Sequence, residues 1–228
     1  RQMCIRDSYW PAPFFTIWVG QALAMMTSEL VQFALIWWLT ESFNSATVVG
    51  IATMTALLPR ALLSPFLGAL ADRWSRRTVL LASYGVIILS LLCLGYVFQA
   101  NVASLGIIYL IILARACGKS FQMPAMLAST ALMVPEKHLA RVAGLNQMLQ
   151  GLVLVAAPPL GAMLVHAMPL HAIITVDIIG TFLAIIVLLL VSIPNPPRVA
   201  SANVPLAGWR SLWEAVSYTH LRAHETKA

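Results

Sequence analysis

The chain has 228 residues, of which 60% are hydrophobic and only 10% charged, whereas roughly a quarter of the residues in a soluble chain carry charge. Such a composition excludes an ordinary water-soluble domain and fits a surface that faces lipid. The formal net charge of +6 does not mark a nucleic-acid binder, because the basic residues form no long run and sit at the ends of apolar stretches.

In chain order, the first residues have an origin unlike the rest. Arg1-Gln2-Met3-Cys4-Ile5-Arg6-Asp7-Ser8 translates a string that resembles a transposase-based sequencing adaptor. At the other end, Val216-Ser217-Tyr218-Thr219-His220-Leu221 translates the reverse complement of the same mosaic end, and Leu221 to Thr226 follow the adaptor's continuation. Residues 1–8 and 216–228 are therefore expected to be adaptor-derived, leaving a natural segment of about Tyr9 to Ala215 that is open at both ends. His220, His224 and Glu225 then form no metal site. The first apolar stretch is too long for a cleavable signal peptide and would itself direct insertion.

Six apolar segments follow, at about 13–39, 46–70, 78–98, 103–123, 142–165 and 169–193. As helices rising 1.5 Å per residue, each crosses ~30 Å of hydrocarbon. Helices are required because lipid offers no partner to backbone N–H and C=O groups. The predicted fold is an all-α, integral-membrane bundle of six transmembrane helices over residues 9–193, with a linker and the start of something further at 194–215. Short links predict that consecutive helices are antiparallel neighbours, with one longer link from Ala125 to Arg141. Arg73, Arg76, Arg77, Lys137, Arg141, Arg198 and Arg210 all fall on one side of the predicted membrane, which places both natural ends in the cytoplasm. Trp10, Trp37 and Trp38 suit interfacial anchoring. Cys93 and Cys117 lie inside apolar segments without metal-ligand spacing and read as packing residues. Pro194, Pro196 and Pro197 end the sixth segment.

Between the second and third segments stands Gly68-Ala69-Leu70-Ala71-Asp72-Arg73-Trp74-Ser75-Arg76-Arg77. This resembles the signature loop of the major facilitator superfamily: a glycine, an aspartate four residues on, a base, then a glycine followed by two bases. Gly68, Asp72, Arg73, Arg76 and Arg77 match; Ser75 replaces the second glycine. The resemblance implies a gating latch between two halves of a twelve-helix transporter, of which this chain is the N-terminal half and lacks the C-terminal one. Gln32 to Thr40, with Ser45-Ala46-Thr47-Val48 after it, looks like the opening of macrolide-efflux and siderophore-exporter members. Arg115-Ala116-Cys117-Gly118 resembles the fourth-helix spacing of drug exporters. Gly151, with Ala157-Pro158-Pro159-Leu160-Gly161, is similar to the antiporter packing motif, although Ala157 stands where glycine is usual.

Ionisable groups inside spans are costly and tend to face a cavity. Glu29, Arg60, Arg115 and Asp177 qualify. Arg60 and Asp177 read equally well as packing ion pairs. Glu29 and Arg115 are the stronger coupling or substrate candidates, because the resemblance places their helices at the central cavity. Glu29 is the natural proton carrier and should either be protonated or lie near a base such as Arg60 or Arg115, facing the cavity. Gln21, Gln32 and Gln122 offer polar contacts, Met25, Met26, Met123 and Met126 an adaptable wall, and His166 and His171 flank the 5–6 loop. The expected function is proton-coupled efflux of a drug-like or small organic molecule by alternating access, with the proton gradient in place of a cofactor. Partners are the small-molecule substrate, membrane lipid and the second half; the location is the inner (plasma) membrane. An importer or lipid flippase on the same fold, and a non-transporting membrane protein, are the alternatives. An intramembrane enzyme would need a nucleophile–base pair or metal motif, and none is found in the sequence.

Overall fold

A computed structural model describes residues 10–73 and 75–191, apart from the side chains of 64–73, 128 and 131. The described residues form α1 (Pro11–Phe43), α2 (Ala46–Arg73), α3 (Arg76–Gln99), α4 (Leu105–Met133), α5 (Glu136–Ala167) and α6 (Leu170–Leu190). All six are long and apolar enough to cross a membrane. All the described residues belong to one compact unit. The linker and adaptor-like residues beyond 191 lie outside the described residues.

Three helices outrun their expected limits. With 33 residues, α1 is about 50 Å long, so its ends pass beyond the hydrocarbon. The expected long link from Ala125 to Arg141 is itself helical: α4 continues through Pro124 to Met133, and α5 starts at Glu136. One proline removes a single N–H, whereas continuing the helix buries Ala125, Met126, Ser129 and Thr130. Ser129 and Thr130 donate their hydroxyls back to the carbonyls of Ala125 (2.7 Å) and Met126 (3.0 Å). What separates α4 from α5 is Val134-Pro135, with Pro135 at the N-cap of α5.

Local chemistry fixes the other ends. Asn44 closes α1 in the left-handed region (φ 44°) and returns its N–H to the Thr40 carbonyl at 3.0 Å, a conformation asparagine tolerates. Ser75 is the N-cap of α3, its Oγ accepting from the Thr78 N–H at 3.2 Å. Its backbone is extended (φ −63°, ψ 131°), so the serine that replaces the motif's glycine supplies a cap where a glycine could supply none.

The expectation that consecutive helices are neighbours holds for α3–α4 and, more lightly, for α1–α2, and fails for α5–α6. Extensive packing joins α3 to α4, α1 to α6, α2 to α4, α1 to α5 and α3 to α6, whereas α4–α5 and α5–α6 barely touch. Small residues at the crossings explain the choice. Gly180 of α6 lies against Thr27 of α1, Gly161 of α5 against Phe33 of α1, and Gly118 of α4 against Ser83 and Ile87 of α3.

Two apolar clusters make the core. One gathers Leu35 and Leu39 of α1, Leu91 and Leu94 of α3, Ile108 and Ile112 of α4, and Ile173 of α6. The other gathers Ile17 and Ala24, Leu80 and Tyr84, Ala125, and Leu188 from the same four helices. Along α1, α4 and α6, a set of buried polar residues falls between the two clusters: Thr27 and Ser28, Arg115, Asp177 and Thr181. Large apolar side chains such as Leu57, Leu62, Leu154 and Val155 are exposed, the inverse of a water-soluble protein.

Candidate transport site

The polar layer holds two ion pairs one helical turn apart. In the first, Arg115 Nη2 of α4 meets Asp177 Oδ2 of α6 at 2.5 Å, with the residues 3% and 0% exposed. The same nitrogen donates to the carbonyl and hydroxyl oxygens of Ser28 on α1, at 2.9 and 2.8 Å. Thr27 donates its hydroxyl to Asp177 Oδ1 at 2.9 Å, and Thr181 does so at 3.5 Å. Three helices are thereby tied through one carboxylate. Arg115 Nε and Nη1 have no protein partner among the described residues.

The second pair is Lys119 Nζ of α4 with Glu29 Oε1 of α1, at 2.6 Å. Here the side chains remain 29% and 39% exposed. A third polar rung follows along α4, where Gln122 Nε2 donates to Gln21 Oε1 of α1 at 3.1 Å and to the Tyr84 hydroxyl of α3 at 3.0 Å. Yet α1 is not among the close-packed neighbours of α4. Long polar side chains bridge the two helices where backbones do not approach, which leaves a polar seam rather than a dry contact.

Glu29 does lie beside a base, but that base is Lys119 and neither Arg60 nor Arg115. Arg115 is sealed against Asp177 instead of standing open. Arg60 is exposed on α2 and has no ion pair among the described residues. Lys119 was absent from the sequence-based candidates, although its place four residues after Arg115 puts it on the same helix face.

Gly68, Asp72 and Arg73 lie in the last turns of α2, their side chains outside the described residues, as is Trp74 altogether. Arg77 is described: its Nη2 donates to the Leu189 carbonyl at 2.8 Å, so a motif arginine satisfies the C-terminal end of α6, where positive charge is favoured. Arg76 stands in the first turn of α3. Of the packing motif, Gly161 fits closely, since a Cβ there would come within 2.6 Å of Phe33 Cδ1. Gly151 faces open space, and Pro158 and Pro159 are exposed within an unbroken α5. Trp37 stacks on Phe33 and meets His166 edge-on; Met123 Sδ takes the Gln150 amide at 4.0 Å. No group of metal-binding side chains occurs among the described residues.

Six membrane-length helices, three of which (α1, α4 and α6) meet in a charged layer at mid-span, define a multi-pass membrane protein of the transporter type. The sequence profile of the Major Facilitator Superfamily matches residues 17–221, and the chain belongs to that superfamily, its bundle corresponding to the N-terminal half of the twelve-helix fold. Macrolide efflux protein A of Streptococcus pyogenes is 34% identical over 186 residues, 82% of this chain and 46% of that protein. Macrolide efflux protein A of Enterococcus faecalis is 31% identical over 152 residues, 67% of this chain and 47% of the relative. An uncharacterised MFS-type transporter of Bacillus subtilis is 25% identical over 152 residues, covering 67% of this chain and 35% of the relative. The chain thus spans about half the length, or less, of the curated relatives it matches.

Proposed function

We propose that this bundle is half of a proton-coupled exporter of a drug-like small organic molecule, working by alternating access, with the α2–α3 connection in the cytoplasm. The carrying observation is the contrast between the two ion pairs. Arg115–Asp177 is sealed, with hydroxyls on the carboxylate and on Arg115 Nη2, although Arg115 Nε and Nη1 have no partner among the described residues. Glu29–Lys119 is left partly open at the same depth, where an accessible charge pair is expensive unless it exchanges something. Protonation of Glu29 removes its attraction for Lys119 and loosens one rung of the α1–α4 seam. Deprotonation restores it. The names of the streptococcal and enterococcal relatives support export of an organic compound.

In the complete transporter, Glu29→Gln imitates the protonated carboxyl. Lys119 can reach water from its partly open position, so membrane abundance should stay within about twofold of wild type. Substrate binding should persist and proton-driven accumulation should be lost. Full proton-driven transport by this variant at equal abundance would remove Glu29 as the coupling group. A collapse in abundance would instead assign the pair to folding.

A further inference from the structure

Asn146 of α5 is 8% exposed, and its amide is only half used. Oδ1 accepts the Trp18 indole N–H of α1 at 2.9 Å, which fixes the orientation of the amide, because an indole only donates. Nδ2 is buried and has no partner among the described residues. Leaving a buried donor unmet costs at least as much as a neutral bond to Trp18 contributes, so packing alone gives no reason for an amide here.

One turn along the same face of α5 stands Gln150, half-buried. Its Nε2 reaches the Met123 sulfur of α4 at 4.0 Å, and a thioether is a weak acceptor. One amide thus faces α1 and the other α4, and backbone packing does not close the region between them, since α5 packs on α1 but barely touches α4. Met123 is one helical turn from Lys119, so the two amides adjoin the Glu29–Lys119 pair. From Trp18 to Glu29 the distance along α1 is about 16 Å, which a single organic molecule can bridge.

The chemistry of these groups selects what they bind. With Asn146 Oδ1 spent on Trp18, the amide offers N–H groups, and these need an oxygen acceptor. Trp18 and Met123 supply a flat and an adaptable apolar wall. Neither amide is charged, and Lys119 is already held by Glu29, so a carboxylate or phosphate would find no counter-charge at this depth. The carbonyl oxygen of an uncharged molecule meets the donors without that cost.

We infer that Asn146 Nδ2 and Gln150 Nε2 form a carbonyl-recognition subsite on the transport path, selecting uncharged, carbonyl-bearing organic substrates, with Trp18 as the positioning residue that holds the Asn146 amide. This rests on the transport reading above and gives it a substrate class.

The probe is Nile red, an uncharged dye with one carbonyl, whose emission moves to the red when that oxygen accepts a hydrogen bond. The complete transporter in nanodiscs should bind it saturably, above the uptake of empty nanodiscs, with red-shifted emission. Asn146→Leu should weaken binding about tenfold and return the bound emission towards the blue, the loss of one buried hydrogen bond. Gln150→Leu should act in the same direction. The double variant Trp18→Phe/Asn146→Leu removes donor and acceptor together, so it should melt like wild type and still bind as weakly as Asn146→Leu. Leu154→Phe, on the exposed face of α5, should alter neither affinity nor emission. Two results would overturn the subsite. One is no saturable binding by the wild-type protein. The other is affinity and emission unchanged in both Asn146→Leu and Gln150→Leu, which marks amides that hold water only. Energised efflux of the same dye from cells tests the transport reading separately. Amide-dependent binding without efflux would overturn export and support the subsite; efflux indifferent to both amides, at equal abundance, would do the reverse.

Discussion

Replacing Asp177 by alanine removes the carboxylate that ties α1, α4 and α6 together. The guanidinium of Arg115, 3% exposed, is left without its counter-charge, and Thr27 and Thr181 lose their shared acceptor. Neutral hydrogen bonds between membrane helices average only ~0.6 kcal/mol, so the two threonines account for about 1 kcal/mol at most. A broken buried ion pair costs about 3–5 kcal/mol, most of it the uncompensated charge, and this decides the outcome. For a domain of this size the loss corresponds to a fall of roughly 6–20 °C in Tm. Heating the detergent-solubilised protein and following the surviving monodisperse peak by fluorescence-detected chromatography measures it. Thr27→Val should shift the same curve by only a degree or two, about 0.6 kcal/mol. The double variant Arg115→Met/Asp177→Leu should recover most of the loss, because an apolar pair replaces a buried ion pair at little net cost. Wild-type behaviour by Asp177→Ala, or a double variant no better than the single one, would refute this account of the layer.

The glycines of the crossings separate from those in open space. Gly180→Ala places a Cβ within 2.6 Å of Thr27 Oγ1 and should cost about 1–3 kcal/mol, whereas Gly151→Ala meets nothing and should be neutral or gain up to about 1 kcal/mol from helix propensity. The same thermal assay checks both, and equal shifts would contradict the packing described. At the α2–α3 connection, Asp72→Asn and Arg73→Ala should each reduce transport by the complete protein while leaving insertion intact. Normal efflux by both, at matched abundance, would reduce the loop to a basic connector.

The existence and number of the helices were readable in the sequence because lipid leaves the backbone no alternative to helix over each apolar stretch. Boundaries were less readable where a proline interrupts the pattern. The fourth apolar segment is expected to stop at 123, but burial of Ala125, Ser129 and Thr130 carries α4 through Pro124 to Met133. Which helices touch was misjudged because loop length says nothing about small-residue crossings. Gly161 and Gly180 find their partners, Phe33 and Thr27, far away in sequence. The charged residues were found, apart from Lys119, but not their pairing, since opposite charges in four helices can be matched in several ways. Hydroxyls decided it: Thr27, Ser28 and Thr181 make a nest that suits a sealed pair, and Glu29 has none of them.

The bond from Thr27 to Asp177 joins residues 150 positions apart, and α1 takes its largest partner from the last helix of the bundle. At 5–20 residues per second of synthesis, Thr27 waits roughly 7–30 seconds for Asp177 to be made. Arg115 enters 62 residues ahead of Asp177, and Glu29 enters 90 residues ahead of Lys119. During biogenesis, then, each charge must be sheltered by the insertion machinery or kept near the water interface until its counter-charge arrives. Closure of the bundle is a late event governed by α6, and a ribosome that stalls before Asp177 releases an open five-helix intermediate with a bare guanidinium, a distinctive target for membrane quality control.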